Sequence, residues 1–180
     1  AVLCGPGGVG KTALALQALS GMQGFEPERA LFIEIRSAEP VEDPRLQIIG
    51  ALARAQGLDR ASWGDVLLDD DAIGGTLIDL AEWGGWWVLV DDLHHLPRED
   101  SDRLLKLLAR YARRSRWVAT TRTTPEIAEL KPQVLSLAGL DAVALRALAL
   151  AFVPELPEAE IQRAVEASGG SPWALQQLLA

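Results

Sequence analysis

The sequence predicts an α/β fold, a five-stranded parallel sheet with helices on both faces, followed by a small all-helical appendage. Three observations predict it. Short apolar runs alternate with segments of helical periodicity from Ala1 to about Leu137, the pattern of strands linked by crossover helices. The first run leads through a glycine-rich turn straight into a helical segment. After Gly139 the strands stop and three helical segments follow one another.

The elements are legible in order. Ala1–Cys4 reads as the end of a short buried strand, and Lys11–Ser20 as a helix with Leu and Ala at helical spacing and Gly21 at its C-terminal end. Ala30–Ile35 is the second strand. Asp43-Pro44 opens a helix running to about Gln56, with Pro at its first position. The stretch 57–71 is polar and rich in turn residues. Ile73–Trp83 is helical and stopped by Gly84-Gly85. Trp86–Val90 is a continuous apolar run, as expected of a strand buried on both faces. Arg98–Arg114 is an amphipathic helix with Leu104, Leu105, Leu107 and Leu108 on its buried side. Trp117–Thr121 and Val134–Leu137 are the fourth and fifth strands. Asp141–Phe152, Glu158–Ser168 and Pro172–Leu179 are helices. The domain boundary falls near Ala138, dividing an α/β domain, 1–138, from a helical unit, 139–180.

Composition narrows the function. The chain has 180 residues with a formal net charge of −8. That acidity argues against direct nucleic-acid or anionic-membrane binding by this segment. Cys4 is the sole cysteine and has no internal disulfide partner, which fits a reducing, cytoplasmic setting. No apolar run approaches the length of about 20 residues that spans a bilayer. The chain opens with Ala1 inside an apolar run and closes within a helical pattern, so we expect a segment of a larger protein.

Gly5–Thr12, GPGGVGKT, satisfies G-x-x-x-x-G-K-[ST] in full. By chance such a match occurs in about one chain in a hundred of this length. Its chemistry is specific. Gly5, Gly7, Gly8 and Gly10 let the backbone turn so that N–H groups, including those of Val9 and Ala13, form an anion nest at a helix start. Lys11 is placed for the β- and γ-phosphates, and Thr12 offers a hydroxyl to Mg²⁺. The expected ligand is ATP or ADP, since no N-K-x-D guanine-reading motif occurs.

WWVLVDD, Trp86–Asp92, ends a buried strand in two carboxylates, where ligands sit in open parallel sheets. Asp91 suits Mg²⁺, and Asp92 suits orienting or activating the attacking water. WVATTR, Trp117–Arg122, ends another strand in two hydroxyls and a guanidinium. Should this strand lie between the other two, Thr121 and Arg122 would face the γ-phosphate. GGSPWAL, Gly169–Leu175, reads locally as a helix junction: Gly169-Gly170 ends one helix, Ser171 caps the next and Pro172 takes its first position.

These four motifs, in this order, resemble the STAND class of P-loop NTPases, the signal-transduction ATPases that include the NB-ARC and bacterial maltose-regulator-like proteins. The resemblance covers nearly the whole chain. It implies a three-layer P-loop NTPase sandwich with strand order 5-1-4-3-2, the Thr120 strand lying between the Asp91 strand and the first, and a helical lid after it. It implies ATP in the active state and ADP in the resting one, with slow Mg²⁺-dependent hydrolysis used as a switch. Lys11, Asp91, Asp92 and Arg122 become the catalytic set, Arg122 as γ-phosphate sensor, and Pro172 the lid contact near adenine and ribose. The implied partners are winged-helix and sensor or effector domains of the same protein, with nucleotide-dependent self-association and control of transcription or signalling.

Three other readings stay open: an oligomeric remodelling or loader ATPase, a degenerate nucleotide-holding module, and a small-molecule P-loop kinase. The kinase reading is disfavoured because the tail is poor in basic residues, having only Arg146 and Arg163. His94 and His95 are adjacent and so do not share a helix face as a metal pair would. Cys4 reads as a buried strand residue rather than a catalytic thiol. Arg103, Lys106, Arg110, Arg113, Arg114 and Arg116 crowd one helix, as a solvated face or, less simply, as a source of an arginine finger. The six Trp residues read as core or interdomain packing rather than base stacking, because the chain is acidic.

Overall fold

The computed structural model describes residues 1–35, 44–59, 70–127 and 133–180. In chain order the elements are β1 (Val2–Cys4), α1 (Lys11–Ser20), β2 (Ala30–Glu34), α2 (Pro44–Ala55), α3 (Asp70–Gly84), β3 (Trp87–Asp91), α4 (Arg98–Tyr111), β4 (Arg116–Thr121), β5 (Val134–Ser136), α5 (Ala142–Phe152), α6 (Glu158–Ser168) and α7 (Pro172–Leu179). Short 3₁₀ turns at Pro27–Arg29 and Leu93–His95 lead into β2 and α4. Asp43 and most of the polar stretch, 60–69, lie outside the described residues.

The five strands form one sheet in the order β2-β3-β4-β1-β5. Every pairing is parallel. This is the expected order read from the opposite edge. The register puts Cys4 beside Thr121 and Glu34 beside Asp91. The carboxyl ends of β1, β3 and β4 therefore open on one rim, where an open parallel sheet presents its ligand crevice.

Side-chain alternation in β3 divides the core. Val88 and Val90 pack with Leu77, Leu104, Leu105 and Leu108 from α3 and α4. Leu89 faces the other way, onto Ala15 and Leu19 of α1. Period-2 alternation requires this split, and helices on both faces explain why β3 is apolar throughout.

One departure from the expected boundaries is at the end of α4. Periodicity predicts it to Arg114, but it stops at Tyr111, and Ala112 is extended. The Glu82 carboxylate accepts the backbone N–H groups of Arg113 and Arg114 at 2.8–3.0 Å, with Ser115 at 3.3 Å. A carboxylate on α3 thus satisfies donors that another helical turn would otherwise have used. Conversely, α3 begins at Asp70, three residues before the expected Ile73.

Helices α5, α6 and α7 share their own apolar cluster of Leu145, Ala149, Ile161, Ala164, Val165 and Leu175. Asp141 caps α5 by accepting from the Ala144 N–H at 2.8 Å. Gly169 ends α6 in the left-handed conformation, Ser171 caps α7 through the Ala174 N–H, and Pro172 stands at its first turn. The Leu140 N–H donates to the Gly170 carbonyl at 2.8 Å, tying the start of this unit to the junction between α6 and α7. Trp86 is core, but Trp83 and Trp173 are 67% and 61% exposed. These two are not core residues, which leaves packing between domains as the expectation for them.

Candidate nucleotide-binding site

The loop between β1 and α1 lies at the open rim. Gly10, left-handed, stands at the N-cap of α1, which has no side-chain cap and no acid in its first turn. The positive end of the helix therefore faces the rim uncompensated. Gly5 passes so close to β5 that a Cβ there would sit 2.4 Å from the Leu137 carbonyl oxygen. Val9 is buried beneath the loop.

Lys11 is 6% exposed. Its Nζ donates to the carbonyls of Gly5 at 3.0 Å and Pro6 at 2.8 Å, which holds the ammonium across the loop. Burial lowers its pKa, Asp92 pulls it up, Arg122 pushes it down and Asp91 pulls it up. A desolvated ammonium beside a glycine-rich loop gains from a bound anion.

Thr12 Oγ1 donates to both oxygens of Asp91, at 2.9 and 3.0 Å. Asp91 is 5% exposed and also accepts from Thr120 Oγ1. Thr120 in turn accepts the Asp92 backbone N–H at 2.9 Å. The ends of β3 and β4 and the start of α1 are thereby linked through one carboxylate. A hydroxyl and a carboxylate converging beside a phosphate-type loop fit Mg²⁺, a hard cation that takes a few protein oxygens and completes its shell with phosphate and water.

Asp92 is the one non-glycine residue with positive φ among the described residues, at φ 60 and ψ 41. Left-handed backbone is uncommon outside glycine, although Asp tolerates it better than most. Its side chain borders the cleft. His94 Nδ1 lies 3.4 Å from Asp92 Oδ1 without hydrogen-bonding geometry, and neither ring nitrogen of His94 has a hydrogen-bond partner. Burial lowers the His94 pKa first, helped by His95 and Arg122.

Arg122 lies over the loop, its guanidinium 3.6 Å from where a Cβ on Gly7 would stand. Thr121 is turned elsewhere: its carbonyl accepts the Gly5 N–H and its hydroxyl accepts the Thr123 N–H. Within the TTR motif it is Thr120, not Thr121, that reaches the site carboxylate.

The α7 junction closes the site from above. The Gly8 carbonyl accepts from Ser171 Oγ at 3.2 Å and from the Trp173 N–H at 3.3 Å. Gly8 has φ +73, and a Cβ there would meet Ser171 Oγ at 2.7 Å. A cleft of about 440 Å³ is left between loop and lid. Gly7, Gly8, Gly10, Lys11, Thr12, Ala13, Asp92, Arg122 and Pro172 border it, so nearly every site residue expected from the sequence meets in one place. Gly5, Val9 and Asp91 support the cleft from beneath rather than lining it. The six basic residues of α4 and the turn after it are not in its lining.

The lid wall of Leu148, Phe152, Trp173 and Gln176 is not among the site residues expected from the sequence, and His94 and Thr120, although singled out there, are given no contact with Asp92 or Asp91 by sequence reasoning. The spacing of Leu148 to Phe152 and of Trp173 to Gln176 put each pair on one helix face. Nothing in the sequence says which face turns to the loop.

Fold and site together define a parallel α/β P-loop architecture with a helical lid. The chain is similar in structure to the Signal Transduction ATPase with Numerous Domains (STAND) protein with a tetratricopeptide repeat sensor from Pyrococcus horikoshii, with a TM-score of 0.71 and 21% sequence identity over 99% of this chain. The chain spans 27% of the length of that protein. No family model matches the sequence, and no curated protein matches it. Among the described residues no helix is long and apolar enough to cross a membrane.

Proposed function

We propose that this chain is the nucleotide-binding switch segment of a STAND-type ATPase, an α/β domain over 1–138 and a lid over 139–180, acting in the cytoplasm within a larger signalling or transcription-regulating protein. The observation that carries the proposal is the bond between lid and loop: Ser171 Oγ and the Trp173 N–H both donate to the carbonyl of Gly8. A lid anchored on the phosphate loop itself reports any rearrangement of that loop. In a metabolic kinase a lid would instead bring basic side chains to a second substrate. Here the lid residues bordering the cleft are Leu148, Phe152, Pro172, Trp173 and Gln176, all uncharged.

In this reading the loop amides and Lys11 hold the β- and γ-phosphates. Thr12 and Asp91 hold Mg²⁺, which when bound supplies charge neutralisation on the phosphates. Asp92 accepts a hydrogen bond from the attacking water and orients it. Arg122 contacts the γ-phosphate, and Pro172 lies against the nucleoside. Hydrolysis is slow, and the lid angle follows whether ATP or ADP is held. Winged-helix and sensor domains of the same protein read that angle, and ATP favours self-association.

The test is to identify the nucleotide that copurifies, then to compare oligomeric state with ADP and with a non-hydrolysable ATP analogue. Lys11→Ala should abolish nucleotide retention. Full retention by that variant would remove the site assignment, and identical behaviour with both nucleotides would remove the switch.

A further inference from the structure

The nucleotide cleft gives the basic residues of α4 no task, yet three of them border a different groove. It has a volume of about 450 Å³ and runs between α3 and α4. It lies on the outer side of the helices that cover the Val88 and Val90 face of the sheet. None of the residues bordering the nucleotide cleft borders it. The α3 wall carries Asp71 and Asp79, and the α4 wall carries Arg103, Lys106 and Arg110, all exposed. Among the described residues, Asp71, Asp79 and Lys106 take part in no hydrogen bond or ion pair. One wall is thus acidic and the other basic, with unspent charge on each.

Gly74 and Gly75 form part of the floor. Both stand inside α3, where glycine weakens a helix relative to alanine. The chain's own packing does not call for them. Neither has a positive φ. A Cβ on Gly75 would meet no atom within 4 Å among the described residues, and one on Gly74 would make an ordinary contact with Leu107 at 3.6 Å. Gly75 is exposed and lies one helical turn from Asp71 and one from Asp79. Bare helix backbone between two carboxylates leaves room for a positively charged side chain that arrives from outside.

We propose that the occupant is a second copy of this chain, packed groove to groove about a two-fold axis that runs along the helices. Helix α3 delivers the chain to the start of β3, and α4 delivers it to the start of β4. Those strands are parallel, so both helices descend from the carboxyl rim in the same direction. An axis along the groove lays α3 of each copy over α4 of the other without reversing either. Lys106 of one copy then crosses Gly75 of the second, its stem on the bare backbone and its ammonium between Asp71 and Asp79. Arg103 and Arg110 flank that contact. The contact is made twice, as in any isologous interface. An axis across the helices would instead set α3 on α3, acid against acid, which like-charge repulsion opposes. Ile78 and Leu107, half-buried at the groove, gain apolar cover in the pair. The phosphate loop takes no part, so this dimer forms without nucleotide and is separate from any self-association that ATP favours.

The experiment is analytical ultracentrifugation of the nucleotide-free protein at micromolar concentrations. Wild type is compared with Lys106→Glu, Asp79→Lys, an equimolar mixture of those two, the double variant and Gly75→Gln. Wild type should be dimeric. Lys106→Glu and Asp79→Lys each bring like charges together at both copies of the contact and should weaken the dimer at least about tenfold. Their mixture should dimerise again, because one of the two contacts stays native and the other is reversed in sign. The double variant should recover for the same reason. Gly75→Gln should raise the melting temperature, since α3 loses a glycine, and still weaken the dimer at least about tenfold by filling the space Lys106 needs. A monomeric wild type overturns the inference and leaves the groove to a partner of another kind. A dimer whose affinity is unchanged in both charge variants, or one that forms only with ATP, overturns it too. Single variants that fail to recover on mixing overturn the two-fold pairing.

Discussion

Thr12 Oγ1 donates to both oxygens of Asp91, at 2.9 and 3.0 Å, so the first turn of α1 and the end of β3 share one carboxylate. Thr120 adds a third hydroxyl contact to it from β4. In the proposed reading this nearly buried carboxylate has two tasks, one structural and one cationic. Asp91→Asn separates them. The amide keeps the volume but turns one acceptor into a donor facing hydroxyls that were themselves donating. We expect a stability loss of about 1–3 kcal/mol, since buried donors lose their acceptor. We also expect ADP affinity to become insensitive to added Mg²⁺. Thermal melts and nucleotide titrations with and without Mg²⁺ read the two effects. A variant that keeps the full Mg²⁺ response would remove Asp91 from the cation site.

Gly8 is where loop and lid meet, and it has no room for a side chain. Its φ of +73 is in the left-handed region, and a Cβ would stand 2.7 Å from Ser171 Oγ and 3.1 Å from the Trp173 Cβ. Gly8→Ala should cost about 1–2 kcal/mol in backbone strain alone and push α7 off the loop. Ser171→Ala is the gentler companion, removing one donor to the Gly8 carbonyl and the N-cap of α7 together. Hydrogen exchange along α7 should rise in both variants while β3 and β4 stay protected. Unchanged protection of α7 in Gly8→Ala would show that the junction does not hold the lid.

Much of this architecture was legible beforehand because it rests on local rules. The Gly169–Pro172 junction follows from glycine, capping and proline preferences that act over a few residues. The β3 run is continuous because both its faces are covered. Details that depend on distant partners were not legible. The choice of Thr120 over Thr121 as the partner of Asp91 is set by the register of β4 on β3, which pairs Ala119 with Val90 and so puts Thr120 beside Asp91 on the same face of the sheet. The approach of Phe152 and Trp173 to one cleft is set by how three lid helices pack, and heptad-scale periodicity does not encode that.

The end of α4 shows the same limit in testable form. Its periodicity continues to Arg114, but Glu82 on α3 takes the N–H groups of Arg113, Arg114 and Ser115. Those donors sit at the entry to β4, the strand that delivers Thr120 and Arg122. Glu82→Ala leaves them without this acceptor and should lower stability by about 1–3 kcal/mol. Glu82→Gln, which keeps one acceptor oxygen, should recover part of it. Chemical denaturation of the two variants measures the difference. Equal stability of Glu82→Ala and wild type would mean that the turn is held by other contacts.

His94 gives the site a pH dependence whose sign is fixed by its surroundings. Its pKa lies below the ordinary 6.5 because the ring is buried, with His95, Arg122 and Lys11 also opposing its charge and only Asp92 favouring it. The unfolded chain therefore binds the His94 proton at a higher pH than the folded one does. Stability from this residue is complete above about pH 6.5 and declines as pH falls from there toward the folded pKa. The slope cannot exceed about 1.4 kcal/mol per pH unit for one proton. Thermal melts between about pH 7.5 and 5.5 should show wild type losing stability on acidification more steeply than His94→Gln. The same variant probes function, because His94 stands against the Oδ1 of Asp92. If Asp92 orients the attacking water, His94→Gln should lower kcat at neutral pH and leave ADP affinity unchanged. Parallel loss of both would mean that His94 supports the fold of the whole site rather than the position of Asp92.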